Sequence, residues 1–354
     1  MRKVLYMIAA AAFALSCSPE VNPEYTPKEP EQETVIDRNA FAKGADISWA
    51  TQMENEGMKF YNDKGAETEC TALMKQLGFN SIRLRVWVDP ELGWCSAGDV
   101  LVKALRAQKE GMRIMIDFHY SDTWADPANQ TTPAAWTDYD LEQLKKAVTD
   151  HTVSVLTLLK ENGVEVEWVQ VGNETRGGML WPLGKYENGK NYADLTTAGY
   201  DAAKSVYPEC KVIVHLDSGN RLDLYQRIFP VLNNNGGKYD LIGMSLYPCT
   251  WSDDLGGYPE DWKTATDNCL NNITNVFNLY GKNVVICEVG MPVSKPEASK
   301  EMITYFLAGA KESGHCEGVF YWEPQAPEGY SGGYGLGAFQ NGKATIALDP
   351  FRNQ

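Results

Sequence analysis

The sequence predicts an α/β protein, a single (β/α)8 TIM barrel, from three observations. Eight short runs rich in β-branched residues recur from residue 43 onward, with longer amphipathic stretches between them. Several runs are apolar almost without interruption, as parallel strands covered on both faces are. Reactive side chains gather at the ends of these runs rather than at their starts, which is where such barrels build their active sites.

The first strand is expected over 43–48 (KGADIS). A helix over 67–77 follows and stops before Gly78, a residue free to adopt the left-handed conformation of a C-cap. The second strand, 81–87 (SIRLRVW), leads to a helix over 99–110 ending at Gly111. The third, 113–119 (RIMIDFH), leads to a helix over 140–162 ending at Gly163. Strands over 167–172, 211–217, 241–247 and 283–288 then alternate with helices over 192–206, 223–232, 262–279 and 300–312, and the strand over 318–322 closes the series. A doubly wound open sheet competes with this arrangement. It usually has fewer strands and carries a Gly-rich phosphate loop after the first, and no GxGxxG occurs there. No internal repeat is present.

With 354 residues, 44% of them hydrophobic, the chain is neither disordered overall nor a small disulfide-stapled domain. Its 47 acidic against 32 basic residues, a formal charge of −15, repel phosphate backbones and exclude nucleic acid as a natural partner. Residues 1–16 combine Arg2 and Lys3 with a short apolar run and small residues, the pattern of a secretory signal. Small residues immediately before Cys17 resemble a lipobox, so Cys17 is expected to become an acylated first residue. The lipid would be the only membrane contact, on the outer membrane of a Gram-negative-type bacterium, at the cell surface. Residues 17–38 are rich in Pro and Glu and read as a disordered tether. Residues 39–354 then form one catalytic domain, expected to be a monomer. The remaining cysteines include no CxxC pair and no zinc-like spacing, and no dense acidic oxygen cluster suggests calcium. No metal and no cofactor is expected.

Asp46, Arg85, His119, Glu174, His215, Asp217, Tyr247, Glu288 and Trp322 all fall at or just after strand ends. Glu174 ends the fourth strand and Glu288 the seventh, on opposite sides of an eight-stranded barrel, so the pair can flank a bond lying across the mouth. A carboxyl group emerging from an apolar strand is partly desolvated, which suits a general acid; one kept ionised by hydrogen-bond donors suits a nucleophile. A separation of about 5–5.5 Å would give retention and about 6.5–9.5 Å inversion. Asn173 is placed to bond a sugar 2-hydroxyl.

Longer strings of residues then become recognisable: GADIS at 44–48, RLRVW at 83–87, DFHYSDTWADP at 117–127, Gln130, Pro133 and Trp136, VQVGNE at 169–174, and GMLWP at 178–182. On these the chain resembles the glycoside hydrolase family 53 endo-β-1,4-galactanases. That resemblance implies a clan A barrel acting with retention, with Glu174 as acid/base and Glu288 as nucleophile. It also implies that Arg85, His119, Asn173, His215 and Tyr247 shape the site, Arg85 pairing with the nucleophile. Tyr120, Asp122 and Trp124, within the DFHYSDTWADP string, and Trp181, within GMLWP, join the expected substrate contacts. The segment after Trp322 is shorter and richer in glycine than the family pattern.

Six of the 10 tryptophans fall near strand ends: Trp49, Trp87, Trp124, Trp181, Trp251 and Trp322. Indole faces stack on the apolar faces of pyranose rings, so a row of them suits a polysaccharide bound along a groove and cut internally. Trp168 and Trp262 begin elements and are expected to pack inside. The expected substrate is β-1,4-galactan. A mannanase or β-1,4-glucanase of the same clan, or a surface lipoprotein that only captures glycan, are the alternatives.

Overall fold

The computed structural model describes residues 36–249 and 261–352. The expected signal segment, Cys17 and Trp251 lie outside the described residues, as does all but the end of the expected tether. Eight parallel strands close a barrel in sequence order: β1 (Ala42–Asp46), β2 (Ser81–Val86), β3 (Arg113–Phe118), β4 (Trp168–Val171), β5 (Lys211–Leu216), β6 (Leu241–Leu246), β7 (Val284–Val289) and β8 (Cys316–Trp322). β8 pairs with β1 to complete the ring. A short α1 (Ala50–Asn55), absent from the expected pattern, follows β1. The outer layer consists of α2 (Cys70–Gln76), α3 (Ala97–Lys109), α4 (Leu141–Glu161), α5 (Gly189–Val206), α6 (Leu222–Asn234), α7 (Trp262–Tyr280) and α8 (Pro296–Glu312).

Local signals set several of the helix ends. Asp140 and Gln143 form a reciprocal capping box at the start of α4. Glu69 accepts from the backbone N–H groups of Thr71 and Ala72 at the start of α2. Gly78, φ +92°, follows α2 in the left-handed region; a Cβ there would also sit 2.4 Å from the Phe351 carbonyl oxygen.

Strand alternation sorts the side chains into two cores. Ile82, Leu84, Val86, Ile114, Ile116 and Phe118 point out to the helices and join the large apolar layer. Inside the barrel, Ala42, Met115, Trp168, Ile213, Leu241, Val285, Cys287 and Phe320 form a separate plug at the end away from the mouth. Trp168 is therefore core, as expected. Gly44 makes room for this plug, because a Cβ there would stand 2.0 Å from the Phe320 ring. At the same end, Arg113 stacks over Trp168 and donates to the carbonyls of Arg38 and Ala40, so the chain enters the barrel opposite its mouth. The seven cysteines among the described residues are unpaired, and no helix among them is long and apolar enough to cross a membrane.

Candidate active site

Above the apolar plug the barrel interior turns polar, and Arg83 occupies its centre. Its Nη1 lies 2.8 Å from Asp46 Oδ2 and 2.9 Å from Glu288 Oε1. Its Nη2 reaches Asp117 Oδ2 at 2.8 Å and Asn173 Oδ1 at 2.9 Å, and Gln170 Oε1 accepts from Nε and Nη2. Arg83 is fully buried, so three carboxylates and two amides stand in for the water it has lost.

This corrects the expected role of Arg85. Positions 83 and 85 share a strand face, so alternation sends both into the barrel and cannot choose between them. The deeper arginine meets Glu288. Arg85 lies one pleat nearer the rim and turns toward Glu323, 3.5 Å away, and Cys95 Sγ, 3.4 Å away. Its guanidinium sits 4.1 Å from the Trp124 ring centre and 5.0 Å from that of Trp87; Nε makes no hydrogen bond, and Nη1 only the long 3.5 Å approach to Glu323.

Glu288 reaches the mouth through an irregularity in β7. Val285 and Cys287 point inward, and strict alternation would aim residue 288 at the helices. The β6–β7 register instead shifts after Met244↔Ile286 to Ser245↔Glu288, so Glu288 also faces in. Bulges commonly re-aim side chains in this way. Tyr247 donates to Glu288 Oε2 at 2.7 Å. Glu174 follows Gly172 and Asn173 beyond β4 and is held at φ +47°, a left-handed conformation costly for a residue with a Cβ. Ser245 donates to Glu174 Oε1 at 2.6 Å. One oxygen each of Glu174 and Glu288, with a His215 ring nitrogen, lie within 4.8 Å of one another.

The two carboxyls differ in electrostatics. Burial pushes Glu174 well above the usual carboxylate range, and the charges of Glu288 and Asp217 push it further. Burial raises Glu288 as well, but Arg83 and the Tyr247 hydroxyl oppose it, so it rises less. Of the two, Glu174 is shifted further toward the protonated form. His119 accepts at Nδ1 from the Ala125 N–H and Trp87 Nε1, so its Nε2–H faces Asp117 Oδ2 at 3.0 Å. Burial holds both His119 and His215 below the ordinary imidazole value. Both nitrogens of His215 are already engaged, by Ser245 on one side and by Gln170 and Asn173 on the other, leaving no lone pair to join Glu174 and Glu288 on a metal ion.

A cavity of about 340 Å³ opens over the pair, lined by Trp49, His119, Trp124, Ala125, Asp126, Asn173, Glu174, Glu288, Trp322, Ser331 and Tyr334. A groove of about 500 Å³ shares its Trp49–Trp124 wall and adds Trp87, Trp94 and Asp122. Trp49, Trp124 and Trp322 meet edge to face, as expected of a stiff aromatic wall. Asp122 lies in that groove and also ties two loops, accepting from the backbone of Asp89 and Ala134.

The remaining expected contacts divide. Asp46 and His215 are fully buried beneath the pocket and support it from below. Tyr120 is contradicted as a sugar contact: it shares the outward parity of Phe118, stacks on it, and bonds Thr152 of α4. Asp217 faces Arg176 at 3.2 Å beside Glu174. Trp181 lies on the β4 loop, outside the pocket lining, its indole N–H on the Gly177 carbonyl. Arg83, Ser245, Glu323 and Tyr334 were missed by sequence reasoning; Arg83 alone left a signal, its shared parity with Arg85.

A barrel mouth with two electrostatically unlike carboxyls, Glu288 buried and Glu174 half-buried, under an aromatic wall has the build of a glycoside hydrolase. The family model for glycosyl hydrolase family 53 matches residues 42–347. An arabinogalactan endo-β-1,4-galactanase A of Aspergillus niger is 34% identical over 308 residues, 80% of this chain and 84% of the relative. A fungal β-1,4-galactanase structure superposes with a TM-score of 0.79 at 28% identity, covering 89% of this chain and 100% of the other. A family 53 catalytic domain from Ignisphaera aggregans gives 0.78 at 27% identity, covering 92% of this chain and 99% of the other. The chain belongs to glycosyl hydrolase family 53.

Proposed function

We propose that the protein is an endo-acting β-1,4-galactanase that cleaves galactan or type I arabinogalactan by double displacement with retention. Glu174 protonates the leaving oxygen, Glu288 attacks the anomeric carbon, and Glu174 then deprotonates the water that releases the glycosyl-enzyme. The observation that carries this reading is the close, unequal carboxyl pair. Oxygens within 4.8 Å suit the shorter separation used for direct attack, and their unlike environments support Glu174 as the acid and Glu288 as the nucleophile. Family membership and galactanase relatives support galactan as substrate. The wall of Trp49, Trp124 and Trp322 and the adjoining groove support binding of several rings, hence internal cleavage.

The test is incubation with β-1,4-galactan, arabinogalactan, mannan and cellulose, sizing of the products, and NMR of the first anomer formed. Mid-length β-anomeric oligomers from the galactans alone are expected. Attack on mannan or cellulose instead, or an α-anomer, would overturn substrate or stereochemistry respectively. Glu174→Gln and Glu288→Gln are each expected to abolish galactan hydrolysis in a folded protein.

We further propose export and anchoring through an acylated Cys17 at the outer membrane, based on the lipobox-like run before it. Entry of the chain opposite the mouth suits a tethered enzyme whose active site must remain open to polymer. Labelling with a lipid precursor, lost in Cys17→Ala, tests it.

A further inference from the structure

Arg83 is a pure donor, and that property orients every hydrogen bond in a chain leading away from it. Its Nε and Nη2 take Gln170 Oε1 at 3.2 and 3.0 Å, so the Gln170 amide nitrogen must face the other way. That nitrogen lies 3.0 Å from His215 Nδ1. Asn173 Oδ1, also near Nδ1, already accepts from Arg83 and Gln170, while the Asn173 amide nitrogen is turned to the Ala125 carbonyl. The Gln170 amide has two protons for three acceptors, His215 Nδ1 and Asn173 Oδ1 at 3.0 Å and the Gly172 carbonyl at 3.2 Å. The two shorter contacts take them, which makes Nδ1 an acceptor and places the His215 proton on Nε2. Nε2 lies 2.8 Å from Ser245 Oγ, whose own proton is left to point at Glu174 Oε1, 2.6 Å away.

We propose that Gln170, His215 and Ser245 are positioning residues that transmit a fixed hydrogen-bond direction from Arg83 to Glu174, so that Glu174 Oε1 is always an acceptor and its transferable proton resides on Oε2. The inference rests on the reading of Glu174 as acid/base. When the glycosidic C–O bond breaks, the Oε2 proton passes to the leaving oxygen and the bond from Ser245 stays unchanged. When water attacks, Oε2 receives a proton back. Neither step requires His215 to change its tautomer. Arg83 also binds Glu288 directly, so one buried cation orients both carboxyls, one at first hand and one through three side chains.

The test compares wild type with Ser245→Ala on galactan and on an aryl β-galactobioside whose good leaving group needs no acid. The charged groups acting on Glu174 are Glu288 on β7, Asp217 beyond β5 and Arg83 on β2, and all three remain in the variant. Galactan kcat/KM is expected to fall about ten- to a hundredfold, with less than about a threefold loss on the aryl substrate. The alkaline limb of the pH profile moves up, because a bond to the ionised form of Glu174 is lost. Ser245→Thr restores the limb. Ring 15N NMR of the histidine-labelled wild-type enzyme, assigned through single His→Asn variants, is expected to show His215 protonated at Nε2.

Equal losses on both substrates with an unmoved limb, or His215 protonated at Nδ1, would overturn the proposal. If wild type cleaves neither substrate, the functional reading fails first. If it cleaves both and Ser245→Ala matches it on each, only the positioning role fails.

Discussion

Arg83 Nη1 stands 2.9 Å from Glu288 Oε1, and the same nitrogen holds Asp46 at 2.8 Å. A cation shared in this way keeps the Glu288 carboxyl supplied with a counter-charge without a dedicated partner. Burial of one guanidinium among three carboxylates is tolerated because each charge has a hydrogen-bonded neighbour.

Exchange of that fork for a single ammonium separates the two arginines. Arg83→Lys keeps the charge but loses the branched geometry, and kcat on galactan is expected to fall about 10²–10³-fold. Arg85→Lys, at a side chain that faces Glu323 and not Glu288, is expected to change kcat by less than about threefold and to act on KM through the indoles it supports. Steady-state kinetics on both variants checks this; the reverse order would restore Arg85 as the partner of Glu288.

Tyr247→Phe removes a donor to the ionised form of Glu288. The Glu288 pKa then rises, because that bond favours the charged carboxylate. The acid limb of kcat/KM is expected to move up by about 0.5–1 pH unit, while the alkaline limb, set by Glu174, stays in place.

Glu323 couples stability to pH. Burial lifts its carboxyl to about 8, assisted by Asp46 and opposed by Arg85. A carboxyl whose folded pKa lies above its unfolded value stabilises fully below the unfolded value of 4.5, and that contribution is lost as pH rises toward 8. Within this window Glu323 contributes a decline in unfolding free energy of about 1.4 kcal/mol per pH unit. Glu323→Gln is expected to flatten that part of the curve in denaturant titrations between pH 5 and 8. An unchanged slope would show that Glu323 is ionised throughout.

The aromatic positions should not contribute equally. Trp124→Ala opens the wall shared by pocket and groove, and KM for galactan is expected to rise about five- to tenfold from the loss of roughly 1 kcal/mol of stacking. Trp181→Ala, outside the pocket lining, changes KM by less than about twofold on the same scale. Equal effects would place Trp181 on the polymer path.

The strands were legible because parallel strands covered on both faces must be apolar along their length, and the eight observed strands lie within about two residues of the expected runs. Glu174 and Glu288 were legible because barrel topology sends strand ends to one mouth. Tyr120 was misread although the parity that exposes His119 turns its neighbour away. Ser245 and Glu323 carried no signal, since a serine in a strand and a glutamate after one are common.

Sequence alone determined the barrel, its mouth and the presence of Glu174 and Glu288 at strand ends, because hydrophobic period and chain order dictate where the strands stop. Tertiary structure decided which arginine meets Glu288, that a shift in β7 register turns Glu288 inward, and that Ser245 faces Glu174. Those outcomes depend on depth and stagger between strands far apart in the chain. Two inward positions on one strand look alike in sequence and differ only in what the opposite wall presents to them.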